Sequence, residues 1–88
     1  MILHTTITLP REAKPDEVTT AVERALGLAP AWGASLRSRM DNAIRALASQ
    51  GLPLDVRHVG RLSAQTHDCV SYIARTAEVG LYLQEVNP

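Results

Sequence analysis

The hydrophobic period of this chain changes from two to 3.6 and back, twice over, and that succession limits its fold more than any other feature. From Ile2 to Leu9, Leu3, Thr5, Ile7 and Leu9 fall on one side and His4, Thr6 and Thr8 on the other, with β-branched types throughout. This is the pattern of a half-buried strand. Pro10 to Lys14 breaks it, and Pro15 with Asp16 and Glu17 suits the first turn of a helix. Val18, Ala21, Val22, Ala25 and Leu26 follow at i, i+3, i+4, i+7 and i+8, and Gly27 with Leu28 provides a left-handed stop. The spacing predicts a helix over 15–26.

A second helix opens in APAWGASLRSRMDNAI, residues 29–44. Leu36, Met40, Ala43, Ile44 and Leu47 share one face, Arg37, Asp41 and Arg45 another, and Gly51 and Pro53 end the run. Leu54, Val56, His58 and Leu62 then alternate with Asp55, Arg57 and Arg61, which predicts a second strand with the charged residues facing solvent. Residues 65–78 contain CVSYI, a strand-like composition. Yet Cys69, Val70, Ile73, Ala74 and Ala77 cluster at helical spacing opposite His67, Asp68, Ser71, Arg75 and Glu78. Period outweighs propensity here, so a third helix is expected, with Gly80 as its stop and Leu81–Val86 as a last strand. The order is β-α-α-β-α-β. With 88 residues and no linker, it makes one domain, 1–88: a two-layer α/β fold with a small three-stranded, mainly parallel sheet.

Composition narrows the function classes. Nine basic and nine acidic side chains cancel, which removes the global field of a dedicated nucleic-acid binder. One cysteine, Cys69, leaves no internal disulfide and fits a reducing compartment, so the cytoplasm is the expected location. No run of 18 apolar residues exists, so no membrane span is expected. His4, His58, His67 and Cys69 show no metal-ligand spacing, and neither a phosphate loop nor a nucleophile elbow is present. Cys69 falls on the apolar face of its helix, where it acts as a small hydrophobe. The expectation is a protein without catalytic residues, metal or cofactor.

The segment LGLAPAWGASLRSRMDNAIRAL, residues 26–47, set within that element order, resembles the barstar family of ribonuclease inhibitors. Leu28, Trp32, Gly33, Leu36 and Asp41 sit at the family's intervals, with Pro30 displaced by one. The resemblance implies a barstar-like domain that binds one folded protein, a nuclease or another toxin, through the loop and helix at residues 29–45. Trp32, Gly33, Arg37, Met40, Asp41 and Arg45 would form the contact. Asp41 would be its anchor, a carboxylate accepting charge-assisted bonds from the basic groups of an enzyme cleft. The chain departs from the family at Arg37, where a carboxylate is usual, at Met40 and Ala31, where aromatics are usual, and late in the third helix, where Glu78 is the nearest acid.

Read from the residues alone, other uses stay open. Trp32 is either an anchor for a partner or, the preferred reading, a lid over two Ala-rich helix ends, and Gly33 supplies a turn. Arg37, Asp41 and Arg45 form i, i+4 pairs that partly neutralise Asp41, each contributing about 0.2–0.5 kcal/mol. The rival functions are a weak nucleic-acid module built on Arg37, Arg39, Arg45, Arg57 and Arg61, and a self-associating accessory domain.

Overall fold

A computed structural model of the chain describes residues 3–29 and 32–87. Met1, Ile2, Pro30, Ala31 and Pro88 lie outside the described residues, and with them the expected start of the first strand and two residues of the 29–45 segment. The elements follow the expected order: β1 (Thr5–Leu9), α1 (Pro15–Ala25), α2 (Leu36–Gln50), β2 (Leu54–Val59), α3 (Ala64–Ala77) and β3 (Leu81–Val86).

All three strands are parallel, in the order β1-β2-β3, so β2 is central and the other two are edges. Two successive right-handed crossovers in the same direction carry every helix to one face of the sheet. Burial agrees, for Thr5, Ile7 and Leu9 of β1 are buried and Thr6 and Thr8 are exposed. Leu9, Leu54 and Val56 from the sheet meet Val18, Val22, Leu47, Val70 and Ile73 from the helices in a core built without aromatic rings. Truncating a large member of such a core costs about 2–5 kcal/mol, because the neighbours collapse only partly into the space.

Three local expectations are corrected. β2 ends at Val59 instead of running to Leu62, because Gly60 turns the chain at φ +69° and its carbonyl pairs with the His58 ring. α3 stops at Glu78, which itself adopts the left-handed conformation at φ 58°, two residues before Gly80. Its N–H is satisfied by the Ala74 and Arg75 carbonyls, which holds a non-glycine residue where glycine is usual. Asp55, expected on the solvent side, is only 3% exposed. His4 and Tyr82 stack 5.3 Å apart, and Tyr82 is Asp55's register partner on β3, so together with Arg57 they close over the carboxylate on the open face.

The helix layer covers β1 and β2 and leaves β3 exposed between its partly buried ends, Leu81 and Val86. Leu83 points to the helix side, as its register partner Val56 does, and is still 38% exposed.

Candidate functional site

The corner between α1 and α2 is set by local chemistry at both of its ends. α1 closes with Gly27 at φ +68°, with the Leu28 N–H donating to Glu23 and the Gly27 N–H to Arg24, which satisfies the last carbonyls of the helix. Leu28 then packs against the core. α2 opens on Ser35, whose hydroxyl accepts from the Ser38 N–H at 3.2 Å. A serine in this position stabilises a helix by about 1 kcal/mol over alanine. Between them, Gly33 takes φ +79°, a conformation in which any other residue is strained, with open space around its Cα.

Arg39 locks α2 onto α1. Its guanidinium donates to both carboxylate oxygens of Glu23 and to the Thr20 hydroxyl at 3.0 Å. The bond to Glu23 raises the Arg39 pKa above its ordinary value, against desolvation, which acts in the other direction. A two-pronged Arg–carboxylate pair fixes orientation as well as distance. The two helices are thereby held in one arrangement, and Arg39 is engaged within the fold, unlike the phosphate-binding role considered for it.

Trp32 stands on this braced corner 94% exposed, so it seals nothing. The lid reading is overturned because the helix ends are closed by Leu26 and Leu28, both packed against the core. Beside Trp32, a cleft of about 400 Å³ runs between Leu28, Arg24 and Arg39. On the other side of the start of α2, Leu36, Met40 and Tyr72 form the apolar lining of a second cleft of about 500 Å³, with Arg37 and Asp41 at its polar edge.

Of the expected contact residues, Trp32, Gly33, Arg37, Asp41 and Arg45 are exposed and Met40 is partly buried. Arg37, Met40 and Asp41 are brought together in one cleft, while Arg45 does not line it. The i, i+4 pairs of Asp41 with Arg37 and Arg45 are not formed; the ion pairs among the described residues lie elsewhere. Asp41 therefore presents its carboxylate without a salt bridge among the described residues. Tyr72, 40% exposed on α3, joins this cleft and was not among the residues expected there. Its signal was present: at position 72 it falls outside the buried cluster of Cys69, Val70, Ile73, Ala74 and Ala77.

No group of three or more potential metal ligands occurs among the described residues. Among them, no helix is long and apolar enough to cross a membrane. Comparison with known protein families, with curated proteins and with solved structures yields no match.

Proposed function

We propose that this chain is a small barstar-like inhibitor or immunity protein that binds one folded partner, a nuclease or another toxin, through the corner and helix at residues 29–45. The observation that carries this reading is a fully exposed tryptophan on a corner braced by the Arg39–Glu23 pair. An exposed indole contributes nothing to the core, and tryptophan is among the side chains that most often dominate protein interfaces. The apolar trio Leu36, Met40 and Tyr72, with the Asp41 carboxylate at its margin, supplies the mixture of buried anchor and polar rim that a protein interface needs. Bracing matters to affinity, since a preformed surface loses little conformational freedom on binding.

Arg37 and Arg45 flank Asp41 and give the helix face a net positive charge. The fitting partner therefore carries acidic groups around its Arg- or Lys-containing cleft, instead of being uniformly basic. A panel of secreted microbial ribonucleases and DNases, assayed for substrate hydrolysis with stoichiometric protein, tests the proposal. Inhibition of one enzyme, lost in Asp41→Ala and Trp32→Ala, is the expected result. A partner captured equally well by both variants would remove the face, and RNA binding that weakens steeply with salt would favour the nucleic-acid rival.

A further inference from the structure

A cleft of about 810 Å³, larger than the two at the proposed interface, lies away from them and shares no residue with either. It opens at the carboxyl ends of the strands, between the start of α3 and the edge strand β3, with Leu62 and Leu83 as apolar lining. Ligands of parallel α/β domains gather at this end of the sheet because helix N-termini point there.

Two kinds of group meet in it. The donors are at the start of α3, a helix of 14 residues. Ser63 Oγ accepts from the Thr66 N–H, and the Ser63 carbonyl accepts from His67. The N–H groups of Ala64 and Gln65, both lining the cleft, have no partner within the helix. The Thr66 hydroxyl donates at 2.6 Å to the Ala13 carbonyl, which pins this turn beside Lys14 at the start of α1. Arg61 and Lys14 bring positive charge to the cleft, and Glu12 next to them in its lining brings a carboxylate.

The acceptors belong to the sheet. His58 is only 8% exposed, yet it lines the cleft. Its Nδ1 lies 2.6 Å from the Gly60 carbonyl, which fixes the proton on that nitrogen in the neutral ring and leaves Nε2 as an acceptor. Nε2 has no protein partner among the described residues. It is also not sealed in the interior, since the one buried side-chain polar atom there without a partner is Asp55 Oδ1. Glu85 is the register neighbour of His58 on β3 and lines the same cleft. A histidine only 8% exposed that lines the cleft, held at Nδ1 and with no protein partner at Nε2 among the described residues, is the feature that the helix terminus alone does not supply.

We propose that this cleft binds a phosphate group that still carries a proton, inorganic hydrogen phosphate or the monoanion of a phosphomonoester, and selects it over sulfate. Its unprotonated oxygens accept from Ala64 N–H, Gln65 N–H, Arg61 and Lys14. Its P–OH donates to His58 Nε2 or Glu85. Sulfate has the same size and the same charge as hydrogen phosphate but no proton at neutral pH, so it leaves both acceptors facing an oxyanion without a hydrogen bond. A site built around acceptors rejects an analogue that lacks the donor, because those groups are left unpaired.

The test is a titration of the ¹⁵N-labelled protein with sodium phosphate and with sodium sulfate at matched ionic strength, followed by the Ala64 and Gln65 amide signals. Glucose 6-phosphate in a third arm at pH 6, where about half of it keeps its P–OH, separates free phosphate from a monoester. Saturable shifts with phosphate, at least roughly tenfold weaker with sulfate, are expected, tenfold being the effect of one hydrogen bond of ~1.4 kcal/mol. Arg61→Gln, at an exposed position, lowers phosphate affinity, and Glu85→Gln, also exposed, narrows the preference over sulfate. Amide signals that do not respond to phosphate, or that respond equally to sulfate, overturn the proposal. Neither result bears on the Trp32 face, which these substitutions do not touch.

Discussion

Replacing Asp55 with valine should stabilise the protein. Asp55 sits on the central strand with its side chain 4% exposed, and its Oδ1 has no hydrogen-bond partner among the described residues. A buried polar atom left unpaired costs about 1–3 kcal/mol. Against this stand two loose ion pairs from Oδ2, to Arg57 Nε at 3.6 Å and to His4 Nδ1 at 4.0 Å, the second attractive only when the imidazole is protonated. Pairs of this kind, with partners that are 52% and 32% exposed, contribute at most about 1 kcal/mol each. Valine also fits a central strand better than aspartate, a difference of up to about 1 kcal/mol.

The balance favours Asp55→Val by about 1–2 kcal/mol, since Arg57 and His4 regain water when the carboxylate is gone and leave no buried charge behind. Valine has one heavy atom fewer than aspartate and branches at Cβ, so it enters the same space without overpacking. For a domain of this size the gain corresponds to a rise in melting temperature of roughly 4–8 °C per kcal/mol. Urea denaturation followed by circular dichroism, with Asp55→Asn as the shape-preserving companion, measures it. A midpoint that falls in Asp55→Val at unchanged m would falsify the reasoning, because it would mean that the carboxylate makes a stronger bond than the His4–Arg57–Tyr82 cover provides.

Other substitutions separate surface from frame. Trp32→Ala should leave the urea midpoint within about 0.5 kcal/mol of the parent, as a side chain 94% exposed supports nothing; a larger loss would show that the indole packs in solution. Thr66→Val deletes the buried hydroxyl that donates to the Ala13 carbonyl and should cost about 1–3 kcal/mol, read from the same denaturation curves. Burial raises the Cys69 thiol above its ordinary pKa, so alkylation by iodoacetamide at pH 8 should be slower in the folded protein than in urea. The folded state then holds that proton to higher pH than the unfolded chain. Stability should consequently decline as pH rises past the unfolded-state value, and Cys69→Ala should flatten that decline.

The fold was legible because each element carries its own period and its own punctuation. Residues 65–78 were the hardest case, with β-branched and aromatic types in sequence, yet the spacing of Val70, Ile73, Ala74 and Ala77 described the buried face of α3. What was not legible depends on which strands lie side by side. Period two assigns Asp55 to the open face, and so it is; its burial comes from His4, just before β1, and Tyr82 on β3, which are far apart in the chain and meet over the central strand β2. The same holds for the carboxyl-end cleft. His58 looks like one more alternating residue until β3 brings Glu85 beside it and the turn after β2 sets the α3 terminus above both.

The two proposed sites follow from one asymmetry of this topology. A three-stranded parallel sheet with both crossovers on one face needs helices over β1 and β2, and among the described residues no helix follows β3 to cover it. The uncovered strand leaves room for the cleft at the carboxyl end, so that site is a consequence of the fold itself. The Trp32 corner is different. Two helices in one crossover require a turn, but Leu28 and the Arg39–Glu23 pair already hold that turn, and an indole exposed to water adds nothing to it. A residue the fold does not need, standing at the entrance to a helix that Arg39 ties to its neighbour, is where an interface is to be sought first.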